Sequence, residues 1–245
     1  DRLKPAIAAG HSLGEYSALV AAKVLTFESA LKLVQKRGEL MGDYGEGEMS
    51  AFPLDLDTIR PIAEKHRCAV AGCNLPEQTV VGGRAEDLEL VEQEVLEQFA
   101  RKRPVRLKTE GAFHTYYMVK AAELVRPVLE DASFGSAEAR VLSNYTGGFH
   151  DADAAKIREG LYYQLSNPVM WHANLLTAFG DGVKIIFEFG GGIGSAETPD
   201  GKRPNLEGMI KRATRAADYE AQYRSAINAP TVKETADFVN NPEAG

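Results

Sequence analysis

A short apolar run that ends at a glycine-flanked serine most constrains what this chain can fold into. The run is PAIAA (5–9), and the pentapeptide GHSLG (10–14) follows it at once. Small apolar residues in such a run, stopped by a glycine, are typical of a buried strand. After the turn, residues 15–22 (EYSALVAA) have the apolar spacing of a helix. Strand, tight turn and helix in this order predict an α/β fold.

The pentapeptide fits the pattern G-x-S-x-G, in which a strained turn between a strand and a helix carries a serine. Such a turn holds the hydroxyl of Ser12 away from the sheet, and we expect the glycines on both sides to avoid steric clashes. The backbone N–H of Leu13 then points to the place where an oxyanion would form, and the helix dipole adds to its stabilisation. The pattern predicts that Ser12 is acylated; the alternative is a tight turn with a bystander serine.

A serine hydroxyl is a weak nucleophile and needs a base within hydrogen-bond distance. Four of the five histidines lie beside the serine, in a charged cluster or in and beside polar segments: His11, His66, His150 and His172. His114 follows the small apolar residues of GAFH (111–114), where the chain re-enters the main domain. His114 is therefore the candidate that stands out, although a histidine beside a phenylalanine is more often structural, and the residues alone leave both roles open.

Arg37 is a charged residue on an otherwise apolar helical face. In the predicted helix 26–41 it shares a stripe with Leu33, Val34 and Met41. A guanidinium turned inward is costly unless an anion or several acceptors pair with it. The pattern predicts a carboxylate partner for Arg37; the alternative is a stem that lies along the core while the head reaches solvent.

Residues 48–110 have a different order of elements from the rest of the chain. Strands and helices follow one another as β-α-β-β-α-β, at 49–52, 56–65, 69–73, 78–82, 85–99 and 104–107. This order predicts a small ferredoxin-like subdomain, inserted between the two parts of a larger α/β core at 1–47 and 111–230. The α/β pattern resumes at 118–129, 141–144, 154–165, 168–179 and 183–189. The polar stretch 231–245 predicts a weakly ordered tail.

Composition excludes several classes of function. A length of 245 residues suits one large domain, or a main domain with a smaller one. Against 28 lysines and arginines stand 35 aspartates and glutamates, and the formal net charge of −7 gives no electrostatic reason to bind nucleic acid. No apolar run approaches the ~20 residues that span a bilayer, and two cysteines are too few for a disulfide framework. We therefore predict a soluble, cytoplasmic protein without nucleic-acid or membrane partners, and the missing initiator Met predicts a truncated or processed chain.

Five segments together resemble the malonyl-CoA:acyl carrier protein transacylase family, which includes the acyltransferases of polyketide synthases. They are GHSLGEYSAL (10–19), QKRGELM (35–41), GAFH (111–114), SNYTG (143–147) and QLSNPVMW (164–171). The resemblance covers most of residues 6–190. It implies a hydrolase-like parallel-sheet core with a ferredoxin-like insert between the serine and the histidine, the same arrangement that the pattern of elements predicts.

The resemblance also implies a reaction and the residues that perform it. Ser12 would be the nucleophile, His114 its base, and Gln164 would orient the imidazole through its backbone carbonyl. The implied reaction is ping-pong, because Ser12 takes the acyl group from malonyl-CoA and passes it to the phosphopantetheine thiol of an acyl carrier protein. It needs no metal and no cofactor.

Three further residues would bind the substrate if the resemblance holds. Arg37 would bind the free carboxylate of the malonyl group, a contact that an acetyl group cannot make. His11 and Phe113 belong to the same set. Phe113 resembles the family variant that selects malonyl over methylmalonyl, since a bulky ring leaves less room for an α-methyl group.

The chain departs from the family pattern in two places. The family has a Gly-Gln-rich motif well before the nucleophile, whose glutamine supplies the second oxyanion N–H, and this sequence contains no such segment. We expect either that the leading segment is omitted or that it belongs to a separate chain. The second departure is the stretch 190–212, where the family usually has Gly-Pro-Gly followed directly by a helix, and here an insertion centred on 198–204 lengthens the loop.

Two other functions stay open. A serine esterase or thioesterase would use the same turn, although Arg37 argues against it. A non-catalytic domain that docks a carrier is the other. The basic cluster 101–106 (RKRPVR) is a candidate docking site for an acidic carrier protein, and the alternative there is a solvated loop. The sequence does not decide between fatty acid and polyketide pathways, nor the cognate carrier, the strictness of malonyl selection or the oligomeric state.

Overall fold

A computed structural model describes residues 4–240, and the chain divides into two compact units. The larger unit is Lys4–Thr177. The smaller unit contains the described residues from Ala178 onward.

The larger unit contains both strands and helices along its length. Its strands are β1 (Ile7–Ala8), β2 (Glu48–Phe52), β3 (Ala69–Leu75), β4 (Gln78–Gly83), β5 (Val105–Arg106) and β6 (Arg140–Val141). Its helices are α1 (Gly14–Ala21), α2 (Phe27–Asp43), α3 (Leu56–Lys65), α4 (Ala85–Gln98), α5 (Val119–Asp131) and α6 (Ala154–Gln164), and α7 (Trp171–Gly180) begins in it. Side-chain oxygens of Thr26, Asp55 and Asp153 accept backbone N–H groups in the first turns of α2, α3 and α6, which fixes where these helices begin.

Strands β1 and β6 form a parallel pair, as expected for an α/β core. Ile7 lies opposite Arg140, and Ala8 lies opposite Val141. Helices α1, α2, α5 and α6 contribute to one apolar core, which includes the fully buried Leu19. Because β1 ends at Ala8, two residues before the glycine of the pentapeptide, the turn begins immediately outside this core.

The segment between α2 and the second part of the core forms a four-stranded antiparallel sheet. Its strand order is β3-β4-β2-β5. Helices α3 and α4 pack on this sheet around Phe52, Ile59 and Leu88, all fully buried. Each of these strands and helices lies within two residues of the bounds predicted from the sequence.

Backbone hydrogen bonds join this sheet to the segment that precedes α7. The N–H of Cys73 donates to the carbonyl of Val169 at 2.8 Å, and the N–H of Val169 donates to the carbonyl of Ala71 at 3.0 Å. The end of β3 is thereby held against the start of α7.

The smaller unit is built on a second parallel pair, β7 (Ile185–Phe189) with β8 (Gln222–Ala226). The same unit contains helices α8 (Glu207–Ala216) and α9 (Ala229–Asn240). Glu188 accepts the N–H groups of Asn205 and Leu206 at 2.7 and 2.9 Å, just before α8, so its carboxylate anchors the start of that helix.

Helix α9 occupies residues 231–240, for which we expected a weakly ordered tail. Thr235 is buried, and its hydroxyl donates to the carbonyl of Ser225 at 2.7 Å. The ring of Phe238 lies 6.3 Å from that of Phe187. These two contacts, with β8 and β7, hold the helix in place. Its other residues are mostly exposed, and for this reason the segment has a polar sequence. Residues 241–245 lie outside the described residues.

The insertion after β7 closes on itself. Ile193 and Arg203 form an antiparallel bridge, with N–H to carbonyl distances of 2.7 and 2.9 Å, and a 3-10 turn spans Pro199–Gly201. Lys202 donates to the carbonyl of Gly194 at 2.7 Å. The longer loop predicted at this position is therefore present, and these hydrogen bonds hold it as a small hairpin.

Candidate active site

Ser12 lies at the turn between β1 and α1 in a left-handed backbone conformation, with φ +54°. A non-glycine residue seldom adopts this conformation, and where one does the surrounding structure must hold it. The N–H of Gly14 donates to the carbonyl of His11 at 3.0 Å, and the N–H of Ser12 donates to Oδ1 of Asn144 at 2.6 Å. The strained strand-to-helix turn predicted from the pentapeptide is present.

The two glycines of the pentapeptide differ in what the turn requires of them. A Cβ on Gly10 would lie 2.0 Å from both the carbonyl carbon and the oxygen of Gly14. A Cβ on Gly14 would meet nothing within 4 Å. We expected both glycines to be needed on steric grounds; the close approach of the backbone makes this true of Gly10 only.

His114 contacts the serine hydroxyl. The distance from Ser12 Oγ to His114 Nε2 is 2.7 Å, and that from His114 Nδ1 to the carbonyl oxygen of Gln164 is also 2.7 Å. A carbonyl only accepts hydrogen bonds, so Nδ1 carries the proton and Nε2 accepts from the serine hydroxyl. The imidazole is thus aligned as a base for Ser12, with a backbone carbonyl in place of a carboxylate behind it.

The imidazole of His114 is held in its neutral form. Burial lowers its pKa, the positive charge of Arg37 lowers it further, and the hydrogen bond to Gln164 opposes them, with a pKa of about 3 as the result. The ordinary value for histidine is about 6.5, so protonation does not compete for Nε2 near neutral pH. Like the serine, His114 has a left-handed backbone, with φ +61°.

The guanidinium of Arg37 lies beside Ser12 and His114. Only 4% of the residue is exposed. Its Nη2 donates to Ser12 Oγ at 2.8 Å and to Gln164 Oε1 at 3.5 Å, while its Nε has no hydrogen-bond partner. None of the carboxylates in residues 4–240 forms an ion pair with it, and burial lowers its pKa. The inward-facing arginine predicted from the helical stripe is present without the carboxylate that it was expected to need.

The remaining site residues predicted from the sequence lie around this group. Leu13, at the start of α1, follows Ser12 directly, and within the described chain its backbone N–H has no acceptor. His11 Nε2 lies 2.9 Å from Oδ1 of Asn74, and burial lowers the pKa of this histidine. Phe113 packs against the small cluster that contains Met49. Neither His11 nor Phe113 is hydrogen-bonded to the serine.

The sequence reasoning missed three residues that hold the serine in place. Asn144 and Glu15 are buried and linked to one another, because the N–H of Asn144 donates to Glu15 Oε2 at 3.1 Å. His150, which we placed among polar segments, has a side chain only 5% exposed, and its Nε2 lies 2.6 Å from Glu15 Oε1. Glu15 had a signal in the sequence, since it is a charged residue on a short and otherwise apolar helix.

Across residues 4–240, no helix combines the length and the apolar character that crossing a bilayer requires. In the same range, no group of three or more histidine, cysteine, aspartate or glutamate side chains is arranged to hold a metal ion.

A serine hydroxyl in contact with a neutral imidazole, at a strand-to-helix turn of an α/β fold, defines the class of proteins that carry acyl groups as serine esters. Comparison with known sequences identifies the family within this class. The chain belongs to the acyl transferase domain family, whose model matches residues 3–188.

Individual relatives agree with this assignment. The malonyl CoA-acyl carrier protein transacylase of Bacillus subtilis is 33% identical over 222 residues, which make up 87% of the chain and 66% of that protein. The polyketide biosynthesis protein PksE of the same organism is 34% identical over 198 residues, 77% of the chain and 25% of that protein. The chain thus spans about two thirds of the length of the first relative and a quarter of the second.

Solved structures show the same fold. The malonyl CoA-acyl carrier protein transacylase of Clostridium perfringens aligns with a TM-score of 0.85 at 25% identity, over 99% of the chain and 73% of that protein. A second structure, a type II PKS acyl-carrier protein in complex with its malonyl-transacylase, aligns with a TM-score of 0.80 at 29% identity, over 93% of the chain and 71% of the structure's chain.

Proposed function

We propose that this chain moves a malonyl group from malonyl-CoA to the phosphopantetheine thiol of an acyl carrier protein, through an ester on Ser12. The contacts among Ser12, His114 and Arg37 support the chemistry. The names of the relatives, which include malonyl CoA-acyl carrier protein transacylases, support the substrate and the partner.

The first half of the reaction forms the acyl-enzyme. Nε2 of His114 takes the proton of the Ser12 hydroxyl while Oγ attacks the thioester carbonyl of malonyl-CoA. The resulting oxyanion lies near the N–H of Leu13, at the positive end of α1. When the carbon–sulfur bond breaks, the proton on Nε2 passes to the sulfur and CoA leaves as a thiol.

The second half reverses these steps with a different thiol. His114 accepts the proton of the carrier's phosphopantetheine thiol, whose sulfur attacks the ester carbonyl. The ester bond to Ser12 breaks, and its oxygen regains a proton from His114. The overall reaction exchanges one thioester for another, so no energy source is needed; the protein supplies alignment and a neutral base, and the proposed steps use no cofactor or metal.

One observation carries the choice of a malonyl group, namely that Arg37 is a buried cation with which no carboxylate of residues 4–240 forms an ion pair. Its guanidinium contacts Ser12 Oγ at 2.8 Å, and its Nε has no acceptor. A planar carboxylate accepts two parallel hydrogen bonds from a guanidinium and neutralises its charge. The free carboxylate of a malonyl ester on Ser12 would lie within reach of this group, whereas an acetyl ester would leave it unpaired.

The same ion pair would also strengthen the base. The charge of Arg37 is the second largest cause of the low pKa of His114. A bound malonyl carboxylate offsets that charge, so the pKa of His114 rises toward the ordinary value and Nε2 becomes a better proton acceptor. Malonyl-CoA therefore improves the base that acts on it, which an acetyl group cannot do.

The other roles that the resemblance implied complete this proposal. Gln164 orients the imidazole through its carbonyl oxygen, and Leu13 supplies one of the two oxyanion donors. His11 and Phe113 belong to the substrate-binding residues of this proposal, in which the ring of Phe113 disfavours an α-methyl group. A cytoplasmic location remains a prediction.

We assign the domains as the sequence predicted them. Residues 48–110 form a ferredoxin-like subdomain, which the antiparallel strand order β3-β4-β2-β5 and the helices α3 and α4 support. The hydrolase-like core at 1–47 and 111–230 stays a proposal, and its support is one parallel strand pair in each unit, β1-β6 in the larger and β7-β8 in the smaller.

Fewer cations of the basic cluster 101–106 are free to bind a carrier protein than the sequence suggests. Two of its cations are already paired, Lys102 with Glu77 and Arg106 with Glu48 and Glu92. Arg101 and Arg103 are exposed, and these two remain available for an acidic partner.

Incubation with radiolabelled malonyl-CoA tests the proposed function. We expect stable label on the unchanged chain, transfer of that label to an added holo carrier protein, and no label on Ser12→Ala, which removes the nucleophile but not the fold. Release of free malonate without transfer would instead identify a hydrolase. Absence of any adduct on the unchanged chain would contradict both enzymatic readings and favour a docking domain.

A further inference from the structure

Glu15 carries a buried carboxylate that the proposed reaction does not use. The residue is 0% exposed and lies in the first turn of α1, three positions after the nucleophile. Both of its oxygens are occupied, since Oε1 lies 2.6 Å from Nε2 of His150 and Oε2 accepts from two donors. A carboxylate removed from water costs free energy unless hydrogen bonds compensate, and here the compensation comes from the residues around the serine.

The two donors to Oε2 are residues that also hold the backbone of Ser12. Gln164 donates from Nε2 to Glu15 at 2.9 Å and to the carbonyl oxygen of Ser12 at 2.8 Å. Asn144 donates its backbone N–H to Glu15 at 3.1 Å, and its Oδ1 accepts the N–H of Ser12 at 2.6 Å. The Glu15 carboxylate is therefore linked through one intervening side chain to each main-chain polar group of Ser12, and the backbone N–H of Glu15 donates directly to the Ser12 carbonyl at 3.2 Å.

The carboxylate also helps to fix which way the Gln164 amide points. A carboxylate and a carbonyl only accept hydrogen bonds, so the NH2 group of Gln164 faces Glu15 and the carbonyl of Ser12. The other end of the amide, Oε1, is then turned to Arg37, whose Nη2 lies 3.5 Å away. A neutral side chain in place of Glu15 removes the charged acceptor and weakens the hold on the Gln164 amide, although the Ser12 carbonyl and Arg37 still favour the same orientation.

We propose that Glu15, held by His150, is a positioning residue for acylation of Ser12. Glu15 acts through Gln164 and Asn144, which fix the strained backbone of the serine and, at the other end of Gln164, the guanidinium of Arg37. This inference rests on the proposed function, because the rate it concerns is that of acyl-enzyme formation.

The test compares Glu15→Gln with Glu188→Gln. Both changes replace a buried carboxylate by an amide of the same shape, but Glu188 lies in the smaller unit and anchors α8. The readouts are the first-order rate of Ser12 acylation by malonyl-CoA, followed by mass spectrometry of quenched samples, and the rate of sulfonylation by phenylmethanesulfonyl fluoride. We expect Glu15→Gln to slow both reactions about 10- to 100-fold, the range known for residues that orient reactive groups. Glu188→Gln should leave both rates unchanged.

A second pair of variants addresses His150. His150→Gln keeps an N–H donor the same number of bonds from the backbone, and His150→Leu removes it. We expect about tenfold slower acylation for His150→Leu and a nearly unchanged rate for His150→Gln. The malonyl-CoA concentration for half-maximal rate should change less than the rate itself, because Glu15 lies behind the serine. A merely structural role would lower melting temperatures without separating the two substitutions in rate.

Each outcome decides the inference. Unchanged rates in both Glu15→Gln and His150→Leu, with native circular dichroism, would overturn it. If Glu15→Gln does not fold, the two His150 variants decide. If the unchanged chain reacts with the sulfonyl fluoride but not with malonyl-CoA, the proposed function fails, and the sulfonylation rates still judge the positioning role. Failure of both reagents on the unchanged chain would overturn both.

Discussion

Replacing Gly10 by alanine should disable the site without touching any polar group in it. Gly10 is the last residue before the turn, and the backbone of Gly14 passes directly over its Cα. A methyl group added there would lie 2.0 Å from the carbonyl carbon and oxygen of Gly14 and 2.7 Å from the N–H nitrogen of Glu15. These atoms belong to the backbone of α1, so no rotamer change relieves the contact.

The size of the effect follows from this geometry. Ordinary contact begins near 3.4 Å, so the start of α1 must move by 3.4 − 2.0 = 1.4 Å. A displacement of about 1 Å at a reacting centre costs roughly a hundredfold in rate. Overpacking against rigid neighbours costs about 3 kcal/mol, which lowers the melting temperature of a chain of this size by roughly 6–12 °C.

Gly14→Ala is the matched control, because a methyl group at that position meets nothing within 4 Å. Alanine is favoured over glycine in a helix by about 1 kcal/mol, so this variant should melt slightly higher and react at the normal rate. The assay is the rate of Ser12 adduct formation by mass spectrometry, together with a thermal melt of each variant. Normal labelling and melting of Gly10→Ala, or equal damage in both variants, would refute the steric reasoning.

Three further predictions concern charge at the site and its rim. Arg37→Ala should lower malonyl transfer about 10- to 100-fold by removing a charged hydrogen bond, while acetyl transfer falls less or rises; equal decline of both acyl groups, measured in parallel, would contradict the carboxylate-binding role. Since the pKa of His114 is lowered to about 3, the base stays unprotonated as pH falls, so sulfonylation of Ser12 should stay nearly constant from about pH 8 to about pH 5, and a rate that halves near pH 6.5 would contradict it. Charge reversal of Arg101 and Arg103 should slow transfer to carrier protein at low salt without changing the rate of adduct formation. An unchanged transfer rate would show that the carrier does not dock at these two residues.

Much of the site could be predicted because local sequence determines it. The turn at Ser12 follows from an apolar run, a glycine and a helix start, which are all contiguous. Arg37 stood out because helical periodicity alone shows that a charge faces inward. His114 was harder to identify from the residues, since only its small apolar neighbours distinguished it from the other four histidines.

The parts that failed depend on contacts between distant segments. His150 was set aside because its neighbours in sequence are polar, yet its side chain is buried against Glu15, 135 positions away. The tail was expected to be weakly ordered because it is polar, although Thr235 and Phe238 anchor residues 231–240 to the second parallel pair. Side chains such as these take their surroundings from other elements, and periodicity within one segment carries no information about them.

Local sequence was enough to predict the α/β class, the strained turn at Ser12 and the inward-facing cation, because each of these depends on residues within a few turns of one helix or strand. Packing between distant segments, in contrast, showed that no carboxylate of residues 4–240 forms an ion pair with Arg37, that the pKa of His114 is lowered to about 3, and that a buried carboxylate joins the residues behind the serine. Burial and the electrostatic field at a group arise from the segments packed around it, and these segments are far apart in the chain.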